Sequence, residues 1–304
     1  MKKQFRSLVF VLGLALFVVG CKKEAAQPAT PATTETAWHD RQDTPDALSI
    51  GRSSTENMTL GNPSGATTNT AYPNNYLMTK TQYSLSYNKS RATPNWVSWH
   101  IDPTWLGSAA RQDDFRADAT LPTGWYRVGA TSYSGSGFDR GHNCPSADRT
   151  YSTSDNSATF LMTNMIPQAP TNNQQTWANL ENYCRTLVSQ GNEVYVIMGA
   201  YGTGGTGSSG TASTIDAGRI TVPNRIWKVI VVLPRGTGDL ARITSSTRVI
   251  AVNTPNTNSI STSWGTYRTT VDAIESATGY NLLSAVSSTL QSTLESRVDA
   301  GPTS

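Results

Sequence analysis

The strongest constraint on the fold is an alternation of apolar and polar residues with a period of two, which recurs in many short segments of the chain. Such alternation is typical of β-strands that bury one face. Because few helical segments separate these strands, we predict an α+β fold with an antiparallel-dominated central sheet flanked by helices, not a doubly wound parallel sheet. The predicted strands are Tyr83–Asn88, Asn95–Ile101, Trp125–Thr131, Thr159–Asn164, Glu193–Tyr201, Arg219–Val222, Ile226–Leu233 and Thr247–Val252.

The clearest helix signal runs from Asn173 to Gln190, where apolar residues recur every three or four positions and a glycine follows. Asn173 is a candidate N-cap for this helix. Two further helices are predicted at Val271–Thr278 and Leu283–Val298. The glycine-rich segment 202–210 lacks the Lys-Ser/Thr pair of a phosphate-binding loop, so we interpret it as a hairpin loop.

Residues 1–20 have the features of an export signal and are excluded from the predicted fold. Three basic residues precede an apolar run from Leu8 to Val19, which is too short for a membrane-spanning helix. The run ends in Val-Val-Gly before Cys21, and this ending resembles the lipobox of bacterial lipoproteins. The resemblance implies lipidation of Cys21 and an exported, membrane-anchored protein in the bacterial cell envelope, periplasmic or at the cell surface. The alternative is an ordinary signal peptide with an incidental cysteine.

The net charge of the chain comes from that signal. The 304 residues include 24 basic and 21 acidic ones, and three of the basic residues lie within residues 1–20, so the remainder is neutral. A neutral chain has no general attraction for nucleic acid, and any anionic partner must be bound by a few placed residues. Residues 21–47 are rich in Ala, Thr and Pro and are predicted to form a flexible tether, and residues 48–304 to form the folded domain.

Histidine chemistry has few candidates, because the chain contains only three histidines. His39 lies in the predicted tether, and His100 ends a predicted strand, where we interpret it as a packed, satisfied side chain. His142 stands in the polar segment Phe138–Arg149, which follows a turn rich in Gly and Ser. His142 is therefore the candidate for catalysis.

Polar residues of the predicted helix share one edge with the start of that helix. At about 100° per residue, Glu181 and Arg185 project within roughly 80–120° of Asn173 around the axis. The apolar stripe occupies the rest of the helix surface, so one side can be buried while the other faces a cleft. The alternatives for single residues are a simple helix cap at Asn173 and an exposed i,i+4 ion pair between Glu181 and Arg185.

Three motifs together carry a resemblance. They are Asp-Arg-Gly-His at 139–142, Asn-Met-Ile-Pro-Gln at 164–168, and Asn-Gln-x-x-Trp-x-x-Leu-Glu at 173–181. In this order and spacing they resemble the sugar-non-specific DNA/RNA endonuclease family, whose active site is a ββα-metal (His-Me) finger. The match is densest between Phe138 and Arg185 and extends more weakly from Leu60 to Gly199.

The resemblance assigns roles to individual residues. It implies that His142 is the general base, that Asn173 is the direct ligand of one Mg²⁺ ion, with Mn²⁺ as an alternative ion, and that Glu181 holds a metal-bound water. Arg140 and Arg185 would stabilise negative charge on the phosphate. These residue types suit phosphodiester hydrolysis, which needs a nucleophile made from water and neutralisation of the phosphoryl oxygens.

Three other residues receive supporting assignments. The resemblance implies that Asn164 orients His142 or the cleft, and that Asp139 fixes the finger structurally. Arg111 resembles a further phosphate-binding arginine of the family, although Arg116 nearby leaves the register open.

Cys144 and Cys184 are the two cysteines that remain when Cys21 is assigned to lipidation. In an exported protein we expect them to form a disulfide that braces the finger against its helix, with free thiols as the alternative.

The expected function is that of an exported, lipid-anchored, Mg²⁺-dependent endonuclease that cuts DNA and RNA with little sequence preference. One alternative is a phosphodiesterase of the same finger type that is restricted to one nucleic acid or to a smaller substrate. The other is a non-catalytic surface lipoprotein that binds nucleic acid or glycan on the same scaffold.

Overall fold

A seven-stranded sheet forms the centre of the structure, a computed structural model that describes residues 54–304. The predicted signal segment, Cys21, the tether and His39 lie outside these residues. The strands are β1 (Tyr76–Thr79), β2 (Ser84–Asn88), β3 (Thr93–Ile101), β4 (Asp139–His142), β5 (Met165–Gln168), β6 (Asn192–Tyr201), β7 (Gly205–Gly207), β8 (Gly210–Ala212), β9 (Thr214–Ile215), β10 (Ile220–Thr221), β11 (Arg225–Pro234), β12 (Arg248–Pro255) and β13 (Arg268–Thr269).

The central sheet has the strand order β1-β2-β3-β6-β11-β12-β13, and each neighbouring pair is antiparallel. Three further sheets have two strands each: β4 with β5, β7 with β8, and β9 with β10. The helices are α1 (Thr153–Ala158), α2 (Ala178–Ser189), α3 (Asp239–Arg242), α4 (Val271–Thr278) and α5 (Ser288–Glu295). The prediction of an α+β fold with an antiparallel central sheet is confirmed.

The two faces of the central sheet bury two separate apolar cores. Alternate residues of the long strands point to opposite faces, so Trp99 and Ile230 join one core while Trp96 and Val231 join the other. Helix α2 contributes its apolar stripe to the first core. Helices α4 and α5 contribute Val271, Ile274 and Leu294 to the second. Helix α2 therefore covers one face of the central sheet, and helices α4 and α5 cover the opposite face.

A small antiparallel ladder lies beside the first face. In it, β4 pairs with β5 so that Asp139 is opposite Gln168 and His142 is opposite Met165. A π-helical turn, Asn172–Trp177, follows β5 and runs directly into α2. The three motifs singled out in the sequence thus form two paired strands and the helix that follows them.

Some predicted elements differ from the structure. The predicted strand Trp125–Thr131 is wrong, because this segment is a loop. The ring of Trp125 packs 5.1 Å from that of Tyr76, so this loop residue contacts the core. The predicted strand Thr159–Asn164 is wrong: the segment holds one isolated bridge at Leu161 and a 3₁₀ turn, and the strand begins at Met165. The last helix is shorter than predicted, Ser288–Glu295. Within residues 54–304, no helix is both long enough and apolar enough to cross a membrane.

Candidate active site

The strands β4 and β5 approach each other closely at Gly141, where there is no room for a side chain. A Cβ atom on Gly141 would lie 2.4 Å from Oε1 of Gln168 and 2.6 Å from its Cβ. Gln168 is fully buried on the neighbouring strand. Gly141 therefore allows the two strands to pack closely, which holds the residues on either side of it, Arg140 and His142, in a fixed register.

Asp139 connects β4 to the π-helical turn. One of its carboxylate oxygens accepts hydrogen bonds from Nδ2 of Asn173 and Nε2 of Gln174, both at 2.8 Å. Asn173 does not cap the helix, because its backbone N–H already donates to the carbonyl of Ala169 at 2.9 Å within the turn. The predicted N-cap is wrong, and the side chain of Asn173 is held by Asp139 instead.

This contact orients the Asn173 amide. With Nδ2 turned toward the carboxylate, the carbonyl oxygen Oδ1 points away from Asp139. Amide and carboxylate oxygens are hard donors that suit Mg²⁺, which keeps most of its waters and takes few protein ligands. Asn173 therefore fits the role of a single direct ligand, and Asp139 fits that of the group that orients it.

His142 is enclosed by aromatic rings and lies near two arginines. Its ring centroid is 4.9 Å from that of Phe160 and 5.6 Å from that of Phe115, with both rings edge-on. Burial, with the positive charges of Arg111 and Arg140, lowers the pKa of His142 to about 3. The imidazole is therefore neutral at physiological pH. Its Nε2 atom is buried and has no hydrogen-bond partner among the described residues.

The two arginines are held against the same aromatic rings. The guanidinium of Arg140 lies 3.7 Å from the ring centroid of Phe115, and that of Arg111 lies 4.8 Å from that of Phe160. Arg111 also donates to Oγ of Ser146 at 2.8 Å. These contacts fix both cations beside His142.

A polar cleft of about 470 Å³ opens beside the arginines, and His142 is not among the residues that line it. Both arginines line it, together with Asp139 and the amide pair of the π-helical turn. Arg116 does not line the cleft and is bound by Asp114 and the carbonyl of Ser157. Arg111, which pairs with Asp113 at 2.7 Å, is therefore the one of these two arginines that lies at the cleft. The full lining comprises Arg111, Asp113, Phe115, Ala130, Tyr133, Ser134, Phe138, Asp139, Arg140, Asn173 and Gln174.

Glu181 does not line this cleft but sits next to a buried lysine that the sequence analysis did not identify. Nζ of Lys228 lies 3.4 Å from Oε1 of Glu181, and the lysine side chain is only 1% exposed. The ammonium also lies 5.4 Å from the ring centroid of Trp99 and 4.9 Å from that of Trp177. Burial raises the pKa of Glu181, whereas Lys228 lowers it. One signal could have revealed Lys228, because it is the single charged residue of the apolar segment 226–233.

Arg185 has a separate partner. It contacts Oδ1 of Asp148 at 2.5 Å, and the other carboxylate oxygen accepts a hydrogen bond from Nε1 of Trp99 at 2.9 Å. Burial lowers the pKa of Arg185, but Asp148 and Glu181 reverse this, so that it is raised overall. The alternative of an exposed ion pair between Glu181 and Arg185 is wrong, because each is bound by a different residue.

Asn164 lies behind the finger, fully buried. Its side chain accepts from the backbone N–H of Cys144 at 3.0 Å and donates to the carbonyls of Cys144 and Thr159, both at 2.9 Å. All these partners are backbone groups, so Asn164 positions the segment that follows His142 and does not face the cleft.

The expected disulfide between Cys144 and Cys184 is wrong for this structure. Both residues are buried free thiols in the core between the sheet and α2. Burial raises the pKa of each thiol to about 12. Both therefore pack as small apolar side chains, and the finger is braced by hydrogen bonds in their place.

Comparison with known proteins gives a consistent result. The family model for DNA/RNA non-specific endonuclease matches residues 60–289. A nuclease of Nostoc sp. strain PCC 7120 is 49% identical over 289 residues, which cover 95% of this chain and 97% of the Nostoc protein. Human mitochondrial endonuclease G is 31% identical over 166 residues, 53% of this chain and 56% of that protein. A chain in the crystal structure of an EndoG/EndoGI complex has the same fold, with a TM-score of 0.61 at 22% identity, over 76% of this chain and 91% of that chain.

Proposed function

This chain belongs to the DNA/RNA non-specific endonuclease family and is thus an endonuclease, and from that premise we propose that it is exported, depends on Mg²⁺ and cuts DNA and RNA with little sequence preference. The observation that carries the proposal is that two arginines and an oriented Asn amide line one cleft, while a neutral histidine lies directly behind the arginines, against the same aromatic rings. A non-catalytic binding protein would need no such base, and family membership argues against that alternative.

His142 is the general base in this proposal. A neutral imidazole has a lone pair that can accept the proton of an attacking water. Nε2 is buried without a partner among the described residues, and an orphaned buried polar atom calls for an explanation. Because Nε2 has almost no solvent-accessible surface in this structure, the attacking water would reach it only after the side chains around His142 move.

In this proposal, the two arginines bind the phosphate of the substrate, and the Asn173 amide binds the metal ion. Arg111 and Arg140 carry permanent charge, and a planar guanidinium matches two phosphate oxygens at once. Asp139 keeps Oδ1 of Asn173 turned outward, where it would hold the metal ion. When bound, Mg²⁺ would supply charge neutralisation at the phosphate.

Two residues of α2, Glu181 and Arg185, have supporting roles in this proposal. Glu181 would hold a water of the metal shell, with Lys228 keeping the carboxylate charged and in place. Arg185 would face the phosphate while Asp148 fixes its position. Contacts to substrate are then mostly to phosphate groups, which gives little sequence preference.

Export and anchoring rest on the sequence alone. The apolar run before Cys21 and its lipobox-like ending support lipidation of that cysteine and a location in the bacterial cell envelope. The Cys21→Ser variant should lose its membrane association. Detergent-dependent membrane association that persists in this variant would contradict the anchor.

The central test is degradation of plasmid DNA and of RNA by the wild-type protein and by His142→Ala, each with Mg²⁺ and with EDTA. We expect both substrates to be cut with Mg²⁺, no cutting with EDTA, and a loss of activity in the variant. Tyr72→Ala, at a side chain that is 61% exposed, serves as the control. Equal activity of wild type and His142→Ala would refute the general-base assignment.

A further inference from the structure

Three carboxylates meet at the junction of α4 and α5, on the face of the central sheet opposite to α2. Asp272 and Glu275 lie on α4, and Glu295 is the last residue of α5. One oxygen from each lies within 4.8 Å of the others. We propose that this acidic cluster is a structural binding site for a divalent cation, with Ca²⁺ the expected occupant. It is separate from the proposed catalytic site.

A second observation points to a ligand. Glu295 is only 5% exposed, and its Oε1 atom is buried without a hydrogen-bond partner among the described residues. An unpaired buried carboxylate is strongly unfavourable, so native proteins pair such groups, bind them to metals or let them take up a proton. Burial and the two neighbouring carboxylates raise the pKa of Glu295 to about 7, so at pH 7.5 most of it is charged. A cation among the three oxygens would supply the missing partner.

Within residues 54–304, none of the three carboxylates takes part in an ion pair. Glu295 also stands at the C-terminal end of its helix, where the free carbonyl groups carry partial negative charge. The local field is therefore negative, and an added cation would relieve it.

The spacing and openness fit Ca²⁺. Calcium takes six to eight oxygens at about 2.3–2.6 Å in irregular arrangements, so oxygens up to about 5 Å apart can contact one ion. Oε1 of Glu275 is already fixed by the backbone N–H of Leu282 at 2.7 Å. Asp272 is exposed, Glu275 is half-buried and Glu295 is buried, so an ion can enter from solvent and reach Glu295. Mg²⁺ demands octahedral geometry and retains its waters, so three clustered carboxylates suit it less well.

Binding would join α4 to α5. Both helices pack on the second core through Ile274 and Leu294, so a bridging ion would stabilise the layer that covers this face of the sheet. A ligand that binds only the folded state raises the unfolding temperature with its concentration.

The experiment uses the full-length protein with Asn173→Ala, which removes the proposed ligand of the catalytic ion. Calorimetric titration and thermal unfolding are measured with CaCl₂, with MgCl₂ and without added metal, at pH 7.5. We expect one saturable Ca²⁺ site and a rise in Tm of about 5–10 °C at roughly 100 times the Kd. The same measurements on Glu295→Gln in this background should show neither effect.

Asp216→Asn removes a carboxylate that lies outside this cluster and pairs with Arg219, and this variant should leave Ca²⁺ binding intact. The proposal is overturned if Ca²⁺ produces no saturable heat and no Tm shift, or if Glu295→Gln responds as its parent does. Stabilisation by acid without a response to Ca²⁺ would show that Glu295 is neutralised by a proton, which also overturns it. A response to Mg²⁺ alone would overturn the assignment to Ca²⁺. Glu295→Gln removes a buried unpaired charge, so we expect this variant to fold.

Discussion

The contact between Lys228 and Glu181 makes a prediction that separates charge from packing. Lys228→Met keeps most of the length of the side chain and its apolar contacts but removes the ammonium that lies 3.4 Å from Glu181. Removing one partner of a buried pair costs about 3–5 kcal/mol because the other charge is left uncompensated. Glu181 retains 15% exposure and the contact is long, so water recovers part of this cost. We expect a loss of about 2–3 kcal/mol in the free energy of unfolding.

The double variant Lys228→Met, Glu181→Gln should recover most of that loss, because no charge is left unpaired. Replacing both members of a buried pair is often neutral or stabilising. Urea unfolding at pH 7.5 of the wild type, both single variants and the double variant gives the coupling free energy directly. The assay is independent of catalysis and of any metal.

The pH dependence provides an internal check. The pKa of Glu181 is raised above its ordinary value by burial, so the carboxyl takes up a proton as the pH falls through the acid range. A neutral Glu181 needs no counter-charge. The deficit of Lys228→Met should therefore be fully present at neutral pH and should shrink as the pH falls. If the double variant is as unstable as Lys228→Met, or if the deficit does not change with pH, then Lys228 acts through its packing between two Trp rings and our reasoning is refuted.

Three further predictions follow from the finger. His142→Ala should reduce the rate of plasmid cleavage by about 10²–10⁴-fold, the usual contribution of a general base, while its circular dichroism spectrum stays that of the wild type; an unchanged rate would refute the role of His142. Gly141→Ala should lower both Tm and activity, because its Cβ would lie 2.4 Å from Gln168; a Tm equal to that of the wild type would show that the strands can separate at no cost. Because Cys144 and Cys184 are free thiols, dithiothreitol should leave the Tm unchanged, and a fall of several degrees would show that a disulfide forms in solution.

Much of this arrangement could be predicted from the sequence because it depends on local periodicity. The strands β3, β6 and β11 contain long runs of buried, mostly apolar residues, and the apolar stripe of α2 repeats with the helical period. The three motifs identified the family, and the family model confirms it. Periodicity failed for Trp125–Thr131, because a loop can bury the same side chains without forming ladder hydrogen bonds.

The parts that could not be predicted depend on contacts between distant segments. Lys228 lies 47 positions from Glu181, and no spacing rule connects a strand residue to a helix residue across a layer. The partner of Arg185 is likewise Asp148, which lies in a short turn between the motifs. The position of Asn173 within a π-helical turn could not be inferred either. The angles between Asn173, Glu181 and Arg185 were predicted at about 100° per residue, and a π-helical turn advances by a smaller angle per residue.

The π-helical turn at Asn172–Trp177 separates the reactive end of the helix from its packed end. Each residue of an α-helix turns the chain by about 100°, so an α-helical path through this segment would rotate Asn173 relative to the stripe of α2. The wider turn sets the angle between them without any change in the buried contacts of α2. The length of this turn therefore sets the direction in which the Asn173 amide points. A single residue inserted or deleted there would reorient the candidate metal ligand while the packing of α2 against the sheet is unchanged.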